Sequence, residues 1–193
     1  MLKRLLLAFA MILSVPTALS AQARDPLEGL WIFEVEGTGV FGFALEKDGE
    51  SWKAQWLRPR RFASDGVRFI DLVGPPVPIE ATATKETGGW LELTFADPRP
   101  HTLPDVFRIH VAGTDTAEAI YADTGFPVLP LVRGDPASTL GPWGPGQTYT
   151  RADADSLTPG ALVQFSAAPP ADDAPTAQEP VQGPAEEPAV EGR

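Results

Sequence analysis

The sequence predicts an all-β protein: a small antiparallel up-and-down (meander) barrel of about eight strands. Three observations carry this. Short segments alternate apolar and polar residues with a period of two, and turn signals rich in Gly, Pro and Asp separate them at roughly 8–12-residue spacing. No stretch carries the three-to-four-residue apolar repeat of a helix. Sequential hairpins favour a meander over crossed connections, although another small meander barrel or a sandwich fits the same pattern.

The chain has 193 residues and divides by composition into four segments. Residues 1–23 read as a secretory signal peptide: Lys3 and Arg4, an apolar run from Leu5 to Val15, then small residues before cleavage. Ala21-Gln22-Ala23 and Ala18-Leu19-Ser20 are the two candidate cleavage sites. The apolar run is short for a bilayer span, and no second one follows, so no transmembrane span is expected in the mature chain. Residues 24–135 read as the β-barrel domain, in which a chain of this size buries about two-thirds of its unfolded surface. Residues 136–166 read as a Gly/Pro-rich extension that packs in part, and residues 167–193 as a disordered acidic tail.

The first strand, opening at Gly29, sets Trp31, Phe33 and Val35 on one face, with Glu34 and Glu36 on the other. The Trp31 face is therefore the buried one. After turn chemistry at Gly37 and Gly39, a second strand from Val40 to Lys47 places Phe41, Phe43 and Leu45 together. Gly42 marks a bulge or bend within it. Lys47-Asp48-Gly49 turns into a third strand, Ser51 to Leu57, where Trp52, Ala54 and Trp56 oppose Lys53 and Gln55.

A basic loop, Arg58-Pro59-Arg60-Arg61-Phe62, and a turn at Ser64-Asp65-Gly66 are expected next. Val67 to Val73 and Val77 to Thr84 read as two strands separated by Gly74-Pro75-Pro76. Glu86-Thr87-Gly88-Gly89 turns into Trp90 to Ala96, and an Asp97-Pro98-Arg99-Pro100 loop leads to Val106 to Ala112. Gly113-Thr114-Asp115 precedes Thr116 to Ala122. The last segment, Val128 to Arg133, carries Pro130 and is expected at an edge or in a looser pairing. Beyond it, Trp143 and Tyr149 are residues that would pack back onto the barrel, and Leu162-Val163-Gln164-Phe165 is an apolar piece without an assigned partner.

Gly29-Leu30-Trp31 at the head of the first strand resembles the G-x-W opening of the lipocalin-type (calycin) barrels. In that family the Trp closes one barrel end and stacks against an Arg near the last strand, so the resemblance implies a contact between Trp31 and Arg133. A cation–π contact of that kind stabilises by roughly 1–2 kcal/mol when desolvated. The resemblance also implies a lipocalin-like fold, with small-ligand carriage as one use of it. The family's C-terminal helix has no counterpart here.

Composition excludes several functions. There is no cysteine, which removes disulfides, thiolate metal sites, a thiol nucleophile and the lipid-bearing Cys of a bacterial lipoprotein. A disulfide-free exported chain points to a periplasmic or secreted bacterial protein. Loss of Lys3 and Arg4 with the leader takes the formal charge from −11 to −13, which repels nucleic acid and anionic membranes.

Asp123-Thr124-Gly125 after an apolar strand has the form of an aspartic-protease motif, in which two Asp share a proton; as an ordinary Asp/Gly turn it needs no such role. His101 and His110 match no metal-ligand spacing, so no metal and no cofactor is expected. Arg58, Arg60 and Arg61, near Lys53 and Arg68, are the one basic concentration and suit an anionic group, with Trp52 and Trp56 as candidate lining. The sequence thus leads to an exported non-enzymatic binding or accessory protein. Its partner would be a small apolar or anionic ligand, or an envelope protein. A filled barrel serving as a structural or protein-interaction module is the alternative, and a hydrolase using Asp123 is a further one.

Overall fold

A computed structural model describes residues 24–97, 101–135 and 137–167. The segment 1–23 read as a leader, the 98–100 part of the loop before His101, residue 136 and the segment 168–193 read as a tail lie outside the described residues. The described chain is all-β. Its strands are β1 (Gly29–Val35), β2 (Thr38–Asp48), β3 (Ser51–Ser64), β4 (Arg68–Glu80), β5 (Ala83–Thr87), β6 (Trp90–Phe95), β7 (Asp105–Val111), β8 (Thr116–Tyr121), β9 (Leu129–Gly134), β10 (Tyr149–Thr150) and β11 (Val163–Ser166). The only helical turn among the described residues is a 3₁₀ turn at Ala154–Ser156.

Neighbouring strands pair antiparallel in the order β10-β4-β3-β2-β1-β9-β8-β7-β6-β5, and β11 pairs β3 off this path. That order is two meanders, β1–β4 and β5–β9, joined where β9 comes back beside β1, with β10 and β11 returning to β4 and β3. The ladders do not close into a ring. Where the chain enters β5 and meets β3, Ala81 N–H donates to the Ala54 carbonyl (2.9 Å), Thr84 Oγ1 to the Trp52 carbonyl (3.2 Å) and Trp52 Nε1 to Glu86 (3.1 Å). The turn chemistry acts as the sequence requires. Glu36 and Gly37 both take positive φ (52° and 73°), the mirror-image turn whose twist matches that of its strands.

The inner face is aromatic. Phe43 and Phe107 centroids lie 5.0 Å apart, and those of Trp56 and Phe107 4.9 Å apart, in edge-to-face contact. Trp31, Phe33 and Val35 are all buried on the predicted face. Gly42 serves close packing: a Cβ there would stand 2.8 Å from the Trp31 carbonyl oxygen.

Four expectations need correction. The Arg58–Phe62 stretch is not a loop, because β3 runs through it with irregularities between Pro59 and Arg61 and between Arg61 and Ala63. These bulges let Pro59 remain in the strand while both Arg58 and Phe62 are buried. Gly74-Pro75-Pro76 is not a turn either. It lies within β4, which beyond Phe69 has β3 as its only partner, so prolines 75, 76 and 78 sit on an edge strand that needs fewer N–H donors. For β9 the edge half of the expectation fails and the looser pairing holds: it lies between β1 and β8, but the β1 ladder involves only Val132–Gly134, so Pro130 is paired on the β8 side alone. Finally, Leu162–Phe165 has a partner: Val163 to Ser166 pair with Ser64 to Arg61 of β3.

Candidate functional site

The two ends of the inner face are built differently. At one end, Trp31 is fully buried and its indole N–H donates to the Leu27 carbonyl (2.8 Å). Trp31 and Arg133 are direct partners across β1 and β9, and the Arg133 guanidinium carbon lies 4.2 Å from the ring centroid. The same guanidinium donates to the carbonyls of Glu28 (2.8 Å) and Pro26 (2.6 Å). Gly29 has φ of 122°, and a Cβ there would meet Arg133 Nη1 at 3.1 Å, so the glycine of the G-x-W string makes room for the arginine. This end is capped by chain, and outside the cap a surface cleft of about 760 Å³ runs past Glu28, Leu30, Ala44, Lys53, Glu80 and Arg133.

Beside it, Lys47 lies over the Trp52 ring, 4.7 Å from its centroid, and reaches Asp25 and Glu86 at 3.1 Å each. Trp52 Nε1 also donates to Glu86 (3.1 Å). Hydrogen bonds donated to Asp25 and then Glu86 raise the Lys47 pKa, while those accepted from Trp52 and then Lys47 lower that of Glu86. Trp52 therefore ties β3 to β5 and lines no arginine site.

The opposite end holds an open cleft of about 660 Å³. Arg58 and Tyr121 line it from β3 and β8, Asp105 from β7, Asp123 from the turn after β8, and Gln164 and Ser166 from β11. Arg58 is 3% exposed, held 4.8 Å from the Trp56 ring centroid and 5.7 Å from that of Phe62. The Tyr121 hydroxyl donates to an Asp105 carboxylate oxygen. Burial first, then that hydrogen bond, pushes the Tyr121 pKa far above the ordinary tyrosine range, so it stays a donor at any physiological pH. Asp97 and His101 complete the rim.

The predicted basic cluster does not assemble. Arg58 alone of the three arginines lines the cleft; Arg61 is exposed on β3 and Arg60 half-buried beside it. Lys53 pairs with Asp48 (2.9 Å) and Arg68 with Asp65 (2.7 Å), so each basic neighbour is bound to an acid close by in sequence. Trp56 is buried under Arg58 and contributes packing. Asp123-Thr124-Gly125 forms a turn, with Thr124 Oγ1 donating to the Tyr121 carbonyl (2.8 Å) and Asp123 in the left-handed region at φ 57°. His110 lies half-buried against Trp90, ring centroids 3.9 Å apart, and its Nε2 is 3.5 Å from Glu118. No cluster of three or more metal-ligating side chains occurs among the described residues.

Sequence reasoning missed Tyr121, Asp105 and β11 as parts of one place. The alternation Val163-Gln164-Phe165 was the available signal for the strand; nothing local could have shown which strand it would join.

Between the two ends, the interior is full. The space left among Phe41, Trp56, Phe107 and Leu129 is about 10 Å³, room for no more than about one water molecule. No protein-family model, curated protein or solved structure matches the chain.

Proposed function

We propose that this chain is an exported, non-enzymatic binding module of the bacterial periplasm or exterior that takes its ligand in the Arg58–Tyr121 cleft and carries nothing inside its sheet. The observation behind this reading is a filled interior, with about 10 Å³ left, beside a cleft of about 660 Å³ lined by the buried Arg58 and the Tyr121–Asp105 pair; the cleft of about 760 Å³ at the Arg133 end has no buried charged side chain in its lining. A fatty-acid carrier needs a cavity of several hundred Å³ enclosed by apolar walls. Here Trp56, Phe43, Phe95 and Phe107 occupy that place.

The same reading takes the curled sheet as a lipocalin-like meander barrel. The Trp31–Arg133 stack and the return of β9 beside β1 support it. Export is supported by the leader-like sequence at Met1 to Ala23, and an extracytoplasmic place by the lack of cysteine.

The test is thermal unfolding and amide chemical-shift mapping of the mature chain against oleate, inorganic phosphate and a pool of short peptides. Oleate should leave the melting temperature unchanged, and shifts with the other probes should gather at Arg58, Tyr121, Asp123 and Gln164. Stabilisation by oleate with shifts at Trp56 and Phe107 would return the interior as the site. A panel that moves no cleft amide would end the reading.

A further inference from the structure

Building on the cleft as the binding site, we propose that its ligand is an extended, lysine- or arginine-bearing peptide segment that pairs with the open edge of β11. The geometry of β11 supplies the main argument. Among the described residues it pairs with β3 alone, Phe165 opposite Phe62 and Ser166 opposite Arg61. The ladder continues one residue further, where Ala167 N–H donates to the Arg60 carbonyl (2.7 Å). In an antiparallel pair, backbone groups point alternately toward the partner and away from it. Ala167, Phe165 and Val163 therefore use their N–H and C=O toward β3, and Gln164 and Ser166 direct theirs to the other side. Both of those residues line the cleft.

A row of unused strand donors and acceptors is the template for strand addition. The edge strand β4, by comparison, carries prolines 75, 76 and 78, which cannot donate, and the terminal strand β5 carries Lys85 and Glu86. The edge of β11 contains no proline and no charge. Exposed apolar side chains flank it, with Leu103 85% and Val163 38% exposed.

Charge decides which segment fits. Among the described residues, the cleft walls carry Asp97, Asp105 and Asp123 against the guanidinium of Arg58, on a chain whose formal charge is −11. That field attracts cationic side chains and repels acidic ones. It disfavours the chain's own continuation beyond Ala167, which carries Asp172, Asp173, Glu179, Glu186, Glu187 and Glu191 and, before Arg193, no basic residue. A basic segment of another protein is the occupant that both the strand edge and the charge select.

The probe is a fluorescein-labelled peptide of alternating lysine and valine, measured by anisotropy against the folded mature chain. It should bind, and the amides of Gln164 and Ser166 should gain protection from hydrogen exchange on binding. Replacing its lysines with glutamate should weaken binding by at least about tenfold. N-methylating alternate peptide residues, in each of the two phases in turn, should abolish binding in one phase and spare it in the other, because only one edge of the peptide meets β11. Asp123→Asn, which keeps the left-handed turn, should weaken binding several-fold. Gln164→Pro should abolish it; the N-methylated peptides read the same contact with the protein intact if that variant fails to fold.

Failure of the lysine–valine peptide while phosphate or another peptide still shifts cleft amides would overturn strand addition and leave the cleft as the site. Binding without protection of Gln164 and Ser166, or equal binding of the glutamate peptide, would overturn it as well.

Discussion

Phe62 and Phe165 stack face to face, ring centroids 4.4 Å apart and planes 11° from parallel. Phe62 belongs to β3 and Phe165 to β11, so a residue near the end of the described chain completes the aromatic interior begun by the early hairpins. Trp56 meets both rings edge-on, at 6.5 Å from Phe62 and 6.2 Å from Phe165. Phe165→Ala should therefore destabilise the fold by about 3 kcal/mol, within the usual range for emptying a buried aromatic site. Urea unfolding followed by tryptophan fluorescence measures this. A loss below about 0.5 kcal/mol would mean that β11 adds little to the core.

At the other end, the Arg133 fork is matched to two carbonyls and one ring at once. Lysine keeps the charge but has no planar face to stack and no pair of donors at fixed spacing. Arg133→Lys should cost about 1–2 kcal/mol in chemical denaturation, and Trp31 emission should move to longer wavelength as Leu27 and Glu28 loosen. An unchanged midpoint and spectrum would show that ring packing alone closes this end.

Much of this architecture was legible because period-2 alternation and turn residues are local signals. Trp31, Phe33 and Val35 declare their face within seven residues of β1, and Gly88-Gly89 declares its turn without reference to anything distant. What was not legible depended on pairing at long range. Pro75 and Pro76 look like a break until the missing second neighbour of β4 makes them harmless. Pro130 looks like an edge marker until the β1 ladder proves to stop at Val132. Arg58 looks like one of three surface arginines, yet an inward strand position stacks it over Trp56 and leaves Arg61 outside. The cleft itself joins residues from four strands, a turn and the loop before β7, and no spacing rule links Arg58, Asp105, Tyr121 and Gln164.

The junction of β3 with β5 rests on few backbone links, so the Lys47–Glu86 contact beside Trp52 should control how often it opens. Lys47→Met should speed hydrogen exchange at Thr84 to Glu86 while leaving the β1–β2 amides as slow as before. High salt should have a similar, smaller effect on the parent chain, because the pair is partly solvated. Lys47 has a raised pKa, so its contribution is complete below its ordinary value of 10.5 and disappears as pH rises through the folded value. Glu86, held low, loses its contribution as pH falls below its ordinary 4.5 and through the folded value. Exchange at these amides should thus be slowest between the two limits. Equal protection in Lys47→Met and parent would remove the ion pair from any role at this junction.

Asp65 supplies the acid limit of the fold's far end. Its side chain is 4% exposed and binds the Arg68 guanidinium at 2.7 Å. It also accepts from the backbone N–H groups of Val67 (3.1 Å) and Arg68 (2.7 Å). Burial acts to raise its pKa, but the Arg68 backbone, the Arg68 side chain and the Val67 backbone together hold it below the ordinary 3.8. A carboxyl group held low in the folded state stabilises above its unfolded pKa and loses that stabilisation as pH falls through the folded value. The parent should accordingly lose stability as pH drops below about 4, where the unfolded chain begins to take up the proton that the folded chain refuses. Asp65→Asn removes the titration and leaves an amide that cannot meet all four N–H donors, so it should cost roughly 2 kcal/mol at neutral pH. Its deficit relative to the parent should shrink steadily toward pH 2. Urea midpoints of the two proteins across that range decide the matter: parallel curves would show that the Asp65 turn does not contribute to acid sensitivity.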